Sequence, residues 1–410
     1  MSFQQGLSGL AAAAKNLDVI GNNVANANTV GFKGSQAQFG DVFAASVSGA
    51  DSGGSTQVGI GTSVNAVLTQ FGQGNITVSS NPLDLAINGQ GFFRVSDNGA
   101  ISYTRNGQFS LDKDGYIVNP SGRFLTGYMA DSTGAITAST LSNLQLSAAD
   151  LPPKQSTKAD FVVNLDARNA TLVPASFNSA DSSTYNSSTS SSFYDGLGNK
   201  HVLNAYFLKS AANTWQVFAT NDGVQVGAGA VGTLNFNTDG TINTGTTTLP
   251  FNLSIPVTTG APSPMSLDLG LTNSTQFGSS FGVNQISQDG FASGKLSGYT
   301  VSPDGIVTSS YTNGQTRAQG QVVLASFTNQ EGLAALGQNS YGETSNSGAP
   351  LIGPPNTGRF GVLQSGAVEE SGVDLTAELV KMITAQRVYQ ANAQTIKTQD
   401  EVLQTMVNMR

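Results

Sequence analysis

The single histidine and one acidic loop are the first residues whose types suggest chemistry. His201 lies in DGLGNKH, beside a predicted turn. A lone histidine with no cysteine, and no carboxylate at helical spacing, is far more often structural than catalytic. Asp112-Lys113-Asp114-Gly115 begins like a calcium loop, but its twelfth position is Arg123 instead of glutamate. A tight turn explains this loop fully.

Two glycine-rich segments resemble phosphate-binding loops only in part. VGIGTSV (58–64) lacks the lysine of a P-loop, and no helical pattern follows NGQG (88–91). The chain contains neither cysteine nor a Gly-x-Ser-x-Gly elbow, which excludes disulfides and thiolate metal sites. We therefore predict no catalytic, cofactor-binding or metal-binding residues and a protein that is not an enzyme, although carboxylates that only the fold brings together stay open.

The composition limits the partners of the chain. Of 410 residues, 11% are charged and 48 are glycine, and the net charge is -8. The sequence contains no basic run, so nucleic-acid binding is not predicted. It also contains no stretch of about 18 apolar residues, so no membrane span is predicted. Low charge removes repulsion between copies, which weakly favours self-association, although an ordinary secreted β protein has a similar composition. The N-terminus lacks the basic region of a secretory signal, so we expect export without signal cleavage.

Apolar residues at both ends alternate at spacings of three and four, which predicts helices packed along a seam. We expect helices over 3–24 and within 372–408, the second preceded by a capping box from Ser371 to Asp374. The candidate self-assembly residues, hereafter the seam, are Phe3, Leu7, Leu10, Leu17, Val24, Leu375, Leu379, Met382, Tyr389, Ile396, Leu403 and Val407.

The seam has two interpretations. The helices pack on each other inside one domain, or their seams meet between subunits and form the core of a fibre. Gln386 and Asp400 interrupt the seam, as polar residues that fix register often do, and they could also face a channel. Gly- and Pro-rich connectors separate both helices from the β body in the sequence, which favours the second interpretation.

The segment between the helices predicts a mainly β, multi-domain chain in which one β domain is inserted into another. Dense Asn-Gly and Asp-Gly dipeptides predict hairpins. We expect a terminal helical domain (1–30 and 371–410) with a coiled-coil-like base, a Gly-rich connector (31–75), a discontinuous middle β domain (76–150 and 285–365) and an inserted outer β domain (151–284). The candidate hinge residues are Gly31, Gly34, Gly53, Gly54, Pro354 and Pro355.

Three separated motifs resemble the bacterial flagellar axial proteins of the rod and hook type. They are NNVANANTVGFKGSQAQF, then LDLAINGQGFFRV with YTRNGQFSLDKDGYIVNPSGRFLTGY, and finally EESGVDLTAELVKMITAQRVYQANAQTIKTQDEVLQTMVNMR. They occur in the family's order and cover both ends and the first β domain. The large insert, with FYDGLGNKHVLNAYFLK, indicates the hook type, because rod proteins are shorter.

This resemblance implies a structural subunit of a helical polymer outside the cell, in the flagellar hook. Its implied partners are copies of itself, the flagellar rod, a hook cap, junction and length-control proteins, and the type III export apparatus. The resemblance also implies that the tube is curved and acts as a universal joint between motor rod and filament. The alternatives are a distal rod protein of the same family and a secreted β-rich adhesin or glycan-binding protein.

Overall fold

The computed structural model describes residues 2–42 and 59–408. The chain forms two compact units. The base unit comprises Met1–Ala148, Gly298–Ser310 and Thr316–Arg410, and the insert unit comprises Ala149–Ser297 and Tyr311–Gln315. The four-segment division predicted from the sequence stays a prediction.

Two long α-helices lie at the ends of the chain, α1 (Ser2–Ala25) and α2 (Leu375–Asn408). The strands of the first part are β1 (Ser35–Val42), β2 (Gly61–Thr69), β3 (Ile76–Val78), β4 (Leu85–Asn88), β5 (Phe92–Asp97), β6 (Ala100–Thr104), β7 (Ser110–Leu111), β8 (Ile117–Val118), β9 (Phe124–Ala130) and β10 (Ile136–Asn143). The next strands are β11 (Lys158–Asp166), β12 (Ser187–Tyr194), β13 (Lys200–Ala211), β14 (Thr214–Asn221), β15 (Val224–Gln225), β16 (Gly232–Asn235), β17 (Phe251–Ile255), β18 (Met265–Gly270), β19 (Thr275–Phe277) and β20 (Gly282–Gln288). The last strands are β21 (Leu296–Val301), β22 (Ile306–Tyr311), β23 (Thr316–Val322), β24 (Leu324–Ser326), β25 (Ala334–Gly337), β26 (Ser340–Gly342), β27 (Leu351–Gly353), β28 (Val362–Ser365) and β29 (Ala367–Glu369). Short 3-10 helices occur at Pro174–Ser176, Ser182–Thr184 and Gln330–Gly332. The prediction of a mainly β chain with a helix at each end is confirmed.

The base unit is built around one large sheet with the neighbour order β21-β22-β23-β9-β5-β6-β26-β25. Strands from before and after the insert therefore share this sheet, as the β9–β23 pairing shows. Its core contains Phe93, Phe109, Leu125 and Leu324, all almost fully buried. Two smaller pairings, β4–β28 and β3–β29, connect the residues before α2 to the front of the chain.

The turn dipeptides give hairpins at some of the predicted places. Asn98-Gly99 joins the paired strands β5 and β6, and both residues have positive φ, as a tight turn requires. Asn313-Gly314 likewise joins β22 and β23. The hairpin predicted at Asn88-Gly89 is wrong, because β4 pairs with β28 instead of β5. Asn106-Gly107 also joins strands that do not pair with each other.

The insert unit consists of two five-stranded sheets that enclose a common core. One sheet has the order β17-β18-β11-β19 with β20 paired to β11, and the other has the order β12-β13-β14-β15 with β16 paired to β14. Phe161, Phe207, Trp215 and Leu267 alternate inward along their strands and are completely buried. The indole of Trp215 donates a 2.7 Å hydrogen bond to Gln276 of β19, which connects the two sheets.

Neither helix in the described part of the chain is long and apolar enough to cross a membrane.

Candidate functional site

The two terminal helices pack against each other in antiparallel orientation within one chain. Gly6 of α1 lies against Ile396 of α2, and a Cβ atom added to Gly9 would lie 2.8 Å from the side-chain oxygen of Asn392. At the other end, the Asn23 amide donates to the Glu378 carboxylate at 3.3 Å. Small residues on α1 thus let the two backbones approach closely.

On α1 the buried face differs from the predicted seam, whereas on α2 the seam residue Ile396 lies against Gly6. The buried residues of α1 are Gly6, Ala12, Ala13, Val19, Ile20 and Asn23. At 100° per residue the mean direction of this face is turned by roughly 110° from that of Phe3, Leu7, Leu10, Leu17 and Val24. The first two of these seam residues are about half exposed and the other three are partly buried.

The seam of α2 is also largely uncovered in the single chain. Glu378 and Ala385 are the only buried residues of the described part of this helix. Met382 and Ile396 are partly buried, whereas Leu375, Leu379, Tyr389, Leu403 and Val407 are exposed by 37–74%. A 34-residue helix with this much exposed apolar surface has an incomplete packing environment in the monomer.

The polar residues of the seam, Gln386 and Asp400, are both exposed. Asp400 accepts a 3.0 Å hydrogen bond from Gln404, one turn further along α2. Whether these residues fix register or face a channel stays open.

The cap of α2 differs from the prediction. The side chain of Asp374 accepts hydrogen bonds from the backbone of Thr376 at 2.9 Å and Ala377 at 3.1 Å. Asp374 is therefore the N-cap, and the predicted capping box starting at Ser371 is wrong. The Ser371 hydroxyl instead accepts from Val373 in the turn before the helix.

The connector after α1 packs on that helix, in contrast to the separation inferred from its glycine content. Strands β1 and β2 form an antiparallel hairpin, and Gln5 of α1 donates a 2.5 Å hydrogen bond to the Gly59 carbonyl. The buried Asn23 amide group both donates to and accepts from the backbone of Ser35. The hairpin and both helices therefore form one packed assembly at the base of the chain.

A buried cluster of three charged residues lies where the chain leaves and re-enters this assembly. Lys33, after α1, donates to Glu369 at 2.5 Å, and Arg105, after β6, donates to its other oxygen at 3.2 Å. All three side chains are at least 97% buried. Burial lowers the pKa of Lys33 and of Arg105, and the Glu369 carboxylate opposes that shift. Sequence reasoning missed this cluster.

The ion cluster also binds the backbone around it. Lys33 donates a 2.7 Å hydrogen bond to the Gly72 carbonyl, and the Gly74 amide donates to Glu369 at 2.8 Å. The Arg105 guanidinium lies over the Phe92 ring, 5.3 Å from its centroid. Glu369 thus connects the connector, the large sheet and the segment before α2.

The predicted hinge residues occupy different environments. Gly31 has φ of +70°, and a Cβ atom there would lie 2.5 Å from the Asn106 nitrogen, so only glycine fits. Gly34 lies against Val373, and Pro355 is buried against Gly305, while Pro354 is partly buried. Gly53 and Gly54 lie outside the described residues. Hinge motion at these positions stays a prediction.

His201 is buried between two aspartates in the insert unit, the buried Asp195 and the half-exposed Asp222. One ring nitrogen lies 2.7 Å from Asp222 and the other lies 3.4 Å from Asp195, which also accepts from the Thr259 hydroxyl. Burial alone would lower the pKa of His201, but the hydrogen bonds and charges of the two aspartates raise it above its ordinary value. When it is protonated, the imidazole is a structural cation between two carboxylates.

We expect the insert unit to lose stability as the pH rises through the raised pKa of His201. The stabilisation is complete below the unfolded imidazole pKa of about 6.5 and is lost above the folded value. Urea unfolding followed by fluorescence of Trp215, the single tryptophan, measures this unit. His201→Gln should flatten the profile above about pH 6.5, and an unchanged profile in this variant would contradict the assignment.

The acidic loop at residues 112–115 is stabilised by hydrogen bonds within the loop. Asp112 accepts hydrogen bonds from the backbone of Asp114 at 2.9 Å and Tyr116 at 2.7 Å, so the calcium-like loop is a tight turn. Across residues 2–42 and 59–408, no group of three or more histidine and acidic side chains is arranged to hold a metal ion.

Comparison with protein families gives four separate matches between residues 3 and 409. Residues 3–33 match the flagella basal body rod protein family, and residues 86–158 match the D1 domain of the flagellar hook protein FlgE/F/G. Residues 164–291 match the D2 domain of the flagellar basal body protein FlaE, and residues 364–409 match the C-terminal family of the flagellar basal body rod FlgEFG proteins.

Individual proteins match over the full length. The flagellar hook protein FlgE of Escherichia coli is 41% identical and that of Salmonella typhimurium 42%, and each match covers 100% of both chains. The FlgE of Borreliella burgdorferi is 35% identical over 100% of this chain and 99% of its own. The crystal structure of Helicobacter pylori flagellar hook protein FlgE2, at 15% identity, covers 72% of this chain and 100% of its own with a TM-score of 0.56, which shows a common fold.

Proposed function

This chain belongs to the flagellar hook protein family and is a structural subunit of the hook, and we propose that its terminal helices are completed by neighbouring copies in a curved tube. The rod-protein alternative is not supported, because the full-length relatives are hook proteins. The tube is proposed to act as a universal joint that transmits torque from the motor rod to the filament. No catalytic step belongs to this function.

The exposed seam is the observation that supports completion of the terminal helices by neighbouring copies. Leu379 is 44% exposed on a face turned away from α1, and Leu403 is 53% exposed beyond the part of α2 that α1 covers. Fully burying an exposed leucine stabilises by about 1.5–3 kcal/mol, so covering these half-exposed side chains contributes about half of that for each residue. When the seams of many copies meet, they therefore form a continuous core. The pattern of apolar residues in the seam then sets the register and the spacing of neighbouring copies.

We propose that length changes in the bending tube occur by sliding between β surfaces. Each subunit must lengthen and shorten once per revolution if the curve stays fixed while the tube rotates. The exposed surface of β12 is made of serine and threonine (SSTSSS), and 11% of the chain is charged. Polar faces of this kind exchange hydrogen bonds through water at small cost, whereas large apolar patches would fix one spacing.

The proposed partners follow from the position of a hook. The polymer would meet the rod at one end and a cap, later a junction protein, at the other, with length-control proteins acting during growth and the type III apparatus delivering subunits. The match of residues 3–33 to basal body rod proteins supports the rod contact, because related terminal segments can continue the same packing.

Removing the insert unit tests the sliding proposal. Leu151 and Gly294 form an antiparallel bridge, so excision of residues 149–297 leaves neighbouring ends that a short Gly-Ser linker can join. We expect tubes that still form but have altered curvature and greater resistance to bending or stretching, measured by electron microscopy and optical trapping. Tubes with unchanged curvature and compliance would contradict the role of the insert.

A further inference from the structure

The front and the tail of the chain meet in a part of the base unit that we call the neck. Its three segments are residues 31–34 after α1, residues 70–75 after β2 and residues 369–373 before α2. The Gly31 amide donates a 2.7 Å hydrogen bond to the Glu369 carbonyl, and the Gly372 amide donates a 3.0 Å hydrogen bond to the Phe32 carbonyl. The first and the last of the three segments therefore bind each other directly.

The middle segment of the neck is bound to both of the others. The Gln70 amide donates to the Gly34 carbonyl at 2.7 Å, and the Glu370 amide donates to the Asn75 carbonyl at 2.8 Å. Space is also tight, since a Cβ atom added to Gly74 would lie 2.3 Å from the Glu370 carbonyl oxygen. Moving any one segment therefore breaks hydrogen bonds to another.

The charges in the neck come from opposite ends of the chain. Lys33 and Arg105 in the front part supply two positive charges, and Glu369 in the tail is their acidic partner in the described chain. The side chains of Lys33 and Glu369 are 0% exposed. Without the tail carboxylate, two cations would lie together in a site without water, which is strongly unfavourable. Lys33 would then return to water, and residues 31–34 would leave the neck with it.

We propose that the neck is a latch that closes only when the front and the tail of the chain are both present. Glu369, the residue that closes it, follows Lys33 by 336 positions. A chain that is made or delivered front first therefore keeps the neck open until its tail arrives. The latch prevents the terminal helices from docking on an incomplete chain. This inference concerns the single chain and does not depend on the curved tube.

A second contact couples the same two ends at the helices themselves. The buried Asn23 amide group of α1 binds the Ser35 backbone of β1 and donates to the Glu378 carboxylate of α2 at 3.3 Å. Asn23 and Lys33 lie on either side of the end of α1, and Glu369 and Glu378 lie on either side of the start of α2. Closing the neck therefore brings the partners of this second contact together, so docking of the helices should follow it.

The charge balance predicts unequal effects from the two ends. Glu369→Met leaves two cations with no opposing charge, whereas Lys33→Met leaves the balanced pair of Arg105 and Glu369. We expect the Gly31 amide to exchange its hydrogen about a hundredfold or more faster in Glu369→Met. The Gly372 amide should exchange about tenfold faster in Lys33→Met.

Hydrogen exchange of the folded full chain, followed by mass spectrometry at single-residue resolution, measures these rates. The matched controls are Glu370→Met in the tail and Lys15→Met on α1, which each remove one exposed charge. Neither control should change the exchange of the Gly31 or Gly372 amide.

A second measurement separates a charge latch from ordinary packing. In a chain with Lys33→Met and Arg105→Met, no buried cation needs the tail carboxylate. Adding Glu369→Met to this chain should change the Gly31 exchange rate by about threefold or less, because buried ion clusters replaced by apolar residues often keep their stability. Circular dichroism and Trp215 fluorescence verify that each variant is folded.

The latch predicts that Glu369→Met speeds exchange at Gly31 only when the two cations are present. The same acceleration with and without the cations would overturn the latch. Equal Gly31 exchange in Glu369→Met and Glu370→Met would also overturn it, even if the variant without cations did not fold. Tube formation by the natural chain tests the proposed function separately, since these rates are measured on single chains.

Discussion

Replacing Glu369 with alanine is expected to destabilise the base unit by about 3–5 kcal/mol. The substitution removes the shared partner of Lys33 and Arg105 and leaves two buried cations with no opposing charge. It also removes the acceptor for the Gly74 amide. Glu369→Gln keeps the size and one acceptor oxygen but loses the charge, so we expect a smaller but still large loss.

Two spectroscopic signals measure this effect separately in each unit. Both α-helices of the described chain lie in the base unit, so the helical signal in far-UV circular dichroism follows its unfolding, whereas Trp215 follows the insert unit. Glu369→Ala should shift the helix transition to lower denaturant and leave the Trp215 transition unchanged. Glu370→Ala, at the next and exposed position, is the matched control. If Glu369→Ala and Glu370→Ala had the same helix transition, the ion cluster would not stabilise the base unit.

Sequence spacing predicted the helices because their periodicity is local. The helix forms over Ser2–Ala25. Its residues that repeat at intervals of three and four are the seam residues of α1 together with Ala14 and Gly21. The same spacing did not show which face packs within the chain. That face consists of Gly6, Gly9 and Ala13, small residues that contribute little to a hydrophobic pattern but permit close packing.

The ion cluster shows why long-range pairing could not be predicted. Lys33 and Glu369 are 336 positions apart, and only the folded chain brings them together. One signal was available, since charges are scarce in this chain and Lys33 lies between glycines in a predicted turn. A charge in such a place suggests a partner but does not identify it.

The turn dipeptides show the same limit on a smaller scale. Asn98-Gly99 joins two adjacent strands because local turn geometry is enough to bring them together. Asn88-Gly89 has the same sequence signal, but β4 before it pairs with β28, more than 270 positions later. The sequence of the turn does not predict that a distant strand will compete for pairing.

Introducing a charge into the seam is expected to stop tube assembly. Leu379 is 44% exposed in the single chain and lies away from the face that contacts α1, so Leu379→Asp should leave the subunit folded. In the tube, the carboxylate would enter a seam from which water is excluded, at a cost of several kcal/mol for each copy. Because every copy contains the same defect, the cost repeats along the whole core.

Electron microscopy of Leu379→Asp beside the natural chain, under polymerising conditions, tests whether neighbouring copies complete the terminal helices. The matched control is Thr398→Asp, which adds the same charge at an exposed position of α2 outside the seam. Circular dichroism and Trp215 fluorescence verify that each monomer is folded. We expect curved tubes from the natural chain and the control, and monomers from Leu379→Asp. Normal tubes from folded Leu379→Asp would contradict a core built from this seam.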